Sequence, residues 1–153
     1  MTEADFGPFL EHAIPRRAAR MVARGIWTEG HAVEASREFY LRSLPQGVAT
    51  PDHHLCHIVA EPEGLRVGEV WYTARREGGS VQFWIEWIWI EPDHRRRGYA
   101  TETLHWLEQE ARRRGATRCG LVVWLNNPEA IALYRKVGYS AASMIMVKPL
   151  NAG

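Results

Sequence analysis

The sequence predicts an α/β fold, in which a mixed and mostly antiparallel sheet is flanked by helices and preceded by a helical N-terminal region. Two observations support this prediction. Apolar residues recur at helical spacing up to residue 44, and the period then changes to that of three strands ending at residue 90. Beyond that point, two helical patterns are each followed by a strand pattern. The length of 153 residues and the apolar fraction of 46% suit a single domain spanning the whole chain.

The N-terminal region, residues 1–45, is predicted to form two helices. The first helix starts near residue 3, and Pro15 should kink it or end it because proline lacks the N–H that a helix needs. The second runs from about residue 29 to 44. Its predicted inward residues are Ala32, Ala35, Phe39 and Tyr40. A loop rich in Pro and Gly, "LPQGVATPDHH", follows.

Three strands are predicted at residues 54–61, 66–76 and 81–90, joined by the short turns "PEG" and "EGGS". Strands joined in this way form an antiparallel meander. Alternation along the third strand predicts two faces, unless a bulge changes the register. One face carries Phe83, Ile85, Trp87 and Trp89, and the other carries Trp84, Glu86, Ile88 and Ile90.

A third helix is predicted from about Gly98 to Arg114, followed by a strand over residues 117–124. Because this helix is a crossover, the strands before and after it should pair in parallel. A fourth helix should start after Asn127, an N-cap, and end at Gly138. Residues 139–150 are predicted to form the final strand.

Composition limits the classes of partner. The formal net charge of +1 gives no electrostatic case for binding nucleic acid or a membrane surface. No apolar run approaches the roughly 18–20 residues of a membrane span, and the N-terminus does not read as a signal peptide. Cys56 and Cys119 lack metal or redox spacing and are expected to be reduced thiols. We therefore expect a cytoplasmic location.

The cluster of His53, His54, Cys56 and His57 invites a metal interpretation. Neighbouring residues on a strand point to opposite faces, so these side chains cannot easily surround one ion. The same geometry argues against Cys56 and His57 as a nucleophile and base. No metal is predicted.

The stretch "RRRGYAT" connects the third strand to the third helix and offers a site for phosphate. The first N–H groups of a helix lack internal partners and carry the positive end of its dipole. Gly98 lets a ligand approach the backbone, and Ala100 is also small. Neither the Walker pattern nor the dinucleotide pattern G-x-G-x-x-G is present. The loop taken alone is also compatible with an exposed basic turn.

At this point the chain resembles the GNAT superfamily of acetyl-CoA-dependent N-acetyltransferases. The resemblance covers roughly residues 54–150 and rests on two segments in the right order. The first is "WIEWIWIEPDHRRRGYATETLHWLEQEARRRG", and the second is "LVVWLNNPEAIALYRKVGYSAASMIMVKPL". Residues of the second segment that match the family pattern are Asn127, Ala130, Leu133, Tyr134, Lys136, Gly138 and Tyr139.

Two departures from the family pattern are visible. The usual N-terminal strand is replaced by helices, as in a subgroup with the loop "LP-x-G-x-x-T-P", met here at residues 44–51. Arg96 stands where a glycine is common, so the phosphate loop is bulkier.

The resemblance implies a GNAT fold with acetyl-CoA as co-substrate, bound by the core over residues 54–150, with residues 1–45 on the acceptor side. The implied pyrophosphate contacts are the backbone groups of Arg95, Arg96, Arg97, Gly98, Tyr99, Ala100 and Thr101. The implied contacts to the rest of acetyl-CoA are Ile88, Trp89, Ile90, Asn127, Ala130 and Tyr134. Asn127 has a simpler interpretation as a helix cap, and both roles are compatible.

The resemblance also implies direct attack by an amine in a ternary complex, with Tyr134 as general acid. A purely packing role for Tyr134 stays open. Glu86 is the one charge in an aromatic strand, so desolvation should raise its pKa and make it a candidate base or acceptor-binding group. Pairing with an arginine, or exposure to solvent, is the alternative for Glu86.

The acceptor is predicted to be a primary amine, with a small molecule favoured over a protein N-terminus or lysine. Aromatic residues and one carboxylate would suit a cationic amine. The candidate acceptor-binding residues are Trp27, Trp71, Trp84 and Glu86. A non-catalytic acyl-CoA-binding domain is the alternative from another class. A homodimer is a further expectation.

Overall fold

The structure is a computed structural model that describes residues 1–146 and 148, apart from the side chain of Glu77. It separates into two compact units, residues 1–121 and 122–153, and each is described by itself. The first unit contains α1 (Glu3–Val22), α2 (Glu29–Ser43), β1 (His53–Ala60), β2 (Leu65–Glu77), β3 (Ser80–Ile90), α3 (Tyr99–Arg113) and β4 (Ala116–Leu121). The second unit contains α4 (Pro128–Lys136).

Pro15 was predicted either to kink the first helix or to end it. It does not end the helix, because α1 continues to Val22. Packing explains why the helix tolerates the missing N–H. Ile14 lies in the main hydrophobic cluster beside Tyr40 of α2. The buried hydroxyl of Ser36 in α2 also donates a 2.9 Å hydrogen bond to the Ile14 carbonyl, so α2 holds α1 next to the proline.

The sheet has the order β1-β2-β3-β4. The first two pairings are antiparallel and β3 pairs with β4 in parallel, so the predicted meander and crossover are confirmed. The fourth strand is shorter than the predicted 117–124 and ends at Leu121.

The predicted final strand over residues 139–150 is wrong for its described part, because residues 139–146 adopt no strand; residues 147, 149 and 150 lie outside the described residues. A strand needs a neighbour that pairs with its backbone groups, and apolar alternation alone does not supply one. The described part of the second unit contains no strand.

A β-bulge in β3 changes which residues share a face. Trp71 of β2 pairs with Trp87, whereas the next residue, Tyr72, pairs with Ile85. Glu86 is therefore an extra residue in β3, opposite no single partner in β2.

The prediction that Phe83 and Trp87 share a face is consequently wrong. Phe83 stacks on Tyr72, which contacts Trp106 of α3. Trp87 stacks on Trp89 and belongs to the cluster that α1 and α2 cover. The two tryptophans therefore face α1 and α2, while Phe83 faces α3.

Gly68 permits the close approach of β2 to the end of β3, so Gly68→Ala should destabilise the protein by about 1–3 kcal/mol. An added Cβ would lie 2.2 Å from the Trp89 carbonyl oxygen and 3.1 Å from the Ile90 Cα, both backbone atoms. Thermal unfolding should show the loss. Gly7→Ala in α1 is the matched control, because its Cβ would meet nothing within 4 Å and alanine favours helix. A variant at Gly68 as stable as that control would contradict this account.

Candidate active site

The loop between β3 and α3 has a backbone conformation that only a few residues adopt readily. Gly98 is the N-cap of α3 and has φ +94°, while Arg96 also has a positive φ of 63°. An added Cβ on Gly98 would meet nothing closer than the Glu102 carboxylate at 3.6 Å. The glycine is therefore required by its backbone conformation rather than by crowding.

The N-terminus of α3 is open to an anion. No side chain caps the helix at Gly98. Within the described part of the chain, the N–H groups of residues 96–101 make no backbone hydrogen bond. The side chains of Arg96 and Arg97 are exposed beside them. Unpaired N–H groups, the helix dipole and nearby guanidinium groups together form an arrangement that can bind phosphate.

Arg95 differs from Arg96 and Arg97 because its side chain contacts the end of β3. Its Nε donates a 3.0 Å hydrogen bond to the Ile90 carbonyl, and its guanidinium lies 4.6 Å from the centroid of the Trp89 ring. Arg16 of α1 lies 4.2 Å from the same ring centroid. Two cations therefore fix Trp89 through cation–π contacts.

A partly buried ion network lies behind Trp89, and sequence reasoning missed it. Arg16 contacts Glu91 at 3.2 Å and Glu69 at 3.6 Å. Glu69 is buried and accepts a 3.2 Å hydrogen bond from the Trp87 indole. Burial raises the pKa of Glu69, and the Trp87 hydrogen bond and Arg16 oppose that rise. The position of Glu69 among Val67, Val70 and Trp71 was the available signal, since a buried carboxylate needs a cation.

Residues 88–90 form a partly unpaired edge of the sheet. On one side, Ile88, Trp89 and Ile90 pair with β2. On the other side, the described pairing with β4 runs only from Val81 to Ile85. Their backbone groups on that side have no β4 partner, which leaves them able to bind a ligand, apart from the Ile90 carbonyl that accepts from Arg95.

Glu86, the bulged residue, lines a cavity of about 340 Å³ on the face that α2 covers. Its carboxylate forms no hydrogen bond or ion pair with any side chain that the structure describes. Burial raises the pKa of Glu86, and the charges of Arg75 and Arg17 partly oppose the rise. The predicted direction of the pKa shift is thus confirmed. The residues that line the cavity are Phe39, Arg42, Ser43, Pro45, Thr50, His53, Trp71, Arg75 and Glu86.

Of the four candidate acceptor-binding residues, the cavity brings together Trp71 and Glu86. Trp84 is 41% exposed and lies over Gly120 of β4, outside the cavity lining. Trp27 lies beside Arg17, whose guanidinium is 5.5 Å from its ring centroid, and it does not line the cavity either.

Besides Glu86, the cavity lining contains three titratable residues that were not predicted: Arg42, Arg75 and His53. His53 Nδ1 accepts a 3.0 Å hydrogen bond from the Trp71 indole. Burial lowers the pKa of His53, and Arg75 lowers it further. Arg75 follows Trp71 by four residues on β2, so the period-2 pattern of the strand was a signal that could have placed both on one face.

The second unit contains the remaining predicted site residues. The Asn127 side chain accepts a 3.2 Å hydrogen bond from the Ala130 N–H and Pro128 begins the helix, so the N-cap prediction is confirmed. Tyr134 is half-buried in α4, and its ring centroid lies 5.8 Å from that of Tyr139. The catalytic role of Tyr134 and the cofactor contacts of Asn127 and Ala130 stay predictions.

Comparison with known proteins gives the class. The family model described as the Acetyltransferase (GNAT) family matches residues 17–139. The chain therefore belongs to the GNAT family of acetyltransferases. It is an N-acetyltransferase, an enzyme that transfers an acetyl group to an amine, and the family generally uses acetyl-CoA as the donor.

Two relatives come from Bacillus subtilis. YdgE, named an uncharacterized N-acetyltransferase, is 31% identical over 98% of this chain and 95% of its own length. YycN, with the same description, is 29% identical over 98% of this chain and 96% of its own length. The crystal structure of YycN matches with a TM-score of 0.90, over 98% of this chain and 95% of that chain.

Two further observations bear on partners. No helix within residues 1–146 is long and apolar enough to cross a membrane. Among the described side chains, no three His, Cys, Asp or Glu residues are grouped so that they could hold a metal ion.

Replacing Arg16 with Met should destabilise the protein by about 1–3 kcal/mol, because Glu69 stays buried without its cation. Without Arg16, the pKa of Glu69 should rise further. A raised folded-state pKa means that stability is present below the ordinary value of 4.5 and is lost as pH rises through the folded pKa. Denaturant unfolding should thus show a larger deficit at about pH 7 than at about pH 5.

Arg37→Met is the matched control, because Arg37 and Glu34 form an exposed pair at 3.7 Å. Removing such a pair should change stability by less than about 1 kcal/mol. Equal losses for the two variants, or a deficit for Arg16→Met that does not shrink in acid, would contradict the role assigned to Arg16.

Proposed function

We propose that the protein transfers the acetyl group of acetyl-CoA to the primary amine of a small molecule, by direct attack within a ternary complex. The observation that carries this proposal is the position of Glu86 on a bulge of β3. Its carboxylate has no partner among the described side chains and lines a cavity of about 340 Å³. The same strand leads directly into the open N-terminus of α3. One strand thus connects an amine-binding feature to a phosphate-binding feature.

The donor side of the proposal uses the loop and the end of β3. The backbone N–H groups of residues 95–101 bind the pyrophosphate, aided by the charges of Arg96 and Arg97. The pantetheine lies along Ile88, Trp89 and Ile90, where the pairing with β4 has ended. One N–H of this edge polarises the thioester carbonyl.

The acceptor side uses Glu86 as the base. Burial raises the pKa of Glu86 above the ordinary value of a carboxyl group, which makes its carboxylate a stronger proton acceptor. The amine nitrogen forms a bond to the acetyl carbon as the carbon–sulfur bond breaks. Glu86 takes the proton that the amine loses, and Tyr134 gives its phenol proton to the departing thiolate.

The size of the cavity supports a small-molecule acceptor. A volume of about 340 Å³ lies near the lower end of the range for ligand pockets, about 300–1,000 Å³. A protein N-terminus or lysine as acceptor would instead require an extended surface for the flanking chain. Cytoplasmic location and a homodimer remain predictions of the sequence.

The loop assignment is tested by titrating acetyl-CoA into wild type and Gly98→Trp by calorimetry. Binding at micromolar concentrations should be lost in the variant, because Trp disfavours the positive φ and fills the approach to the helix N-terminus. Gly115→Trp is the matched control. Gly115 ends the same helix with φ +72° and has nothing within 4 Å of an added Cβ. No binding to wild type, or equal loss in both variants, would refute the loop assignment.

The two catalytic roles should separate in their pH profiles once an acceptor is known. In wild type, kcat/KM should rise with pH through the raised pKa of Glu86, because only the carboxylate accepts a proton. Glu86→Gln should abolish this limb, and Tyr134→Phe should keep it while lowering kcat by roughly 10²-fold or more. Tyr139→Phe, which changes the neighbouring ring, is the control for packing. Full activity in Tyr134→Phe would exclude it as the acid.

A further inference from the structure

The cavity beside Glu86 carries charges of both signs. Glu86 supplies the carboxylate from β3. Arg42 contributes a guanidinium from the last turn of α2, and Arg75 contributes another from β2. A site that binds only an amine has no use for two guanidinium groups in its lining.

Within the described part of the chain, the two guanidinium groups do not pair with carboxylates. Among the residues that the structure describes, neither Arg42 nor Arg75 forms an ion pair with an acidic side chain. Of the two, Arg75 lowers the pKa of Glu86 through its charge, without forming an ion pair with it. Both guanidinium groups are thus available to a ligand.

The contact between Arg75 and His53 brings two hydrogen-bond donors together. The Arg75 Nη2 lies 3.2 Å from the His53 Nε2. His53 Nδ1 already accepts the indole N–H of Trp71 at 3.0 Å, so a neutral imidazole carries its proton on Nε2. Burial and Arg75 lower the pKa of His53, which keeps the ring neutral. Arg75 therefore faces another donor, and an anion between the two would accept from both.

We infer that the acceptor is a free amino acid or a close analogue, whose carboxylate binds Arg75 and Arg42 while its amine lies at Glu86. This inference rests on the proposed function and names the class of its acceptor. Guanidinium groups bind carboxylates through paired hydrogen bonds, and Trp71 and Phe39 provide an apolar wall for the remainder of the molecule. The carboxylate binds and orients the acceptor and takes no part in the bonds that form and break.

The test compares amino acids with the amines that lack only the carboxylate: phenylalanine with phenethylamine, tryptophan with tryptamine, and lysine with cadaverine. Thiol release from acetyl-CoA is measured, and mass spectrometry confirms the acetylated product. At least one amino acid should be used with a kcat/KM about tenfold or more above that of its decarboxylated partner, which corresponds to about 1.4 kcal/mol.

Arg75→Gln and Arg42→Gln should each raise KM for that amino acid and lower its kcat/KM by about tenfold. The decarboxylated amine should show little change when rates are compared above the pH limb of Glu86, because Arg75 also lowers the pKa of Glu86. Arg75→Lys should retain part of the preference because it keeps the charge. Arg76→Gln is the matched control, since Arg76 is the next residue of β2 and does not line the cavity. Circular dichroism checks that all four variants are folded.

Several outcomes would overturn the inference. One is that the enzyme uses amino acids and their decarboxylated partners equally, and another is that the arginine variants lose activity equally with both kinds of acceptor. Acetylation of peptide N-termini alone, or turnover of no amino acid at all, would also contradict it. In each case, binding of acetyl-CoA to wild type, lost in Gly98→Trp, would leave the donor side of the proposed function standing. Absence of acetyl-CoA binding would instead refute the proposed function itself.

Discussion

The extra residue in β3 is the constraint on which the rest of the first unit depends. Side chains alternate along a strand. The extra residue Glu86, between Ile85 and Trp87, therefore moves every later side chain of β3 to the other face of the sheet. Phe83 can then pack toward α3 while Trp87 packs toward α1 and α2, and one strand serves two hydrophobic layers. The bulge also places the only charge of the strand at the edge of a cavity instead of inside either layer.

The position of the β3 end follows from a second set of contacts. Arg16 reaches from α1 to Glu69 and Glu91, and it shares the Trp89 ring with Arg95 of the loop. These interactions are partly buried, so removing one member leaves an uncompensated charge. The helix α1, which packs against α2 beside the proposed acceptor cavity, is thereby joined to the loop that is proposed to bind the donor.

The sequence predicted those features that depend on local pattern. The helix N-cap at Asn127, the crossover through α3 and the meander follow from spacing, turns and capping residues. The bulge could not be located, because it depends on which β2 residues Trp87 and Ile85 oppose, and pairing is a property of two segments. Pro15 within α1 and the absent strand at 139–146 have the same origin, since packing and pairing partners override propensity.

The bulge of β3 and the end of its pairing with β4 are adjacent, and their adjacency has a physical cause. A bulge bends its strand and increases the local twist. The pairing with β4 ends at Ile85, and the extra residue is the next one, Glu86. A strand that bends at this point diverges from the straight line of its parallel neighbour, so the edge of residues 88–90 loses its partner. The same distortion therefore exposes the backbone edge that we propose binds the thioester, and it turns Glu86, the proposed base, toward the cavity. A regular strand would offer neither, because its backbone groups would be paired and Glu86 would lie on the opposite face from Trp87.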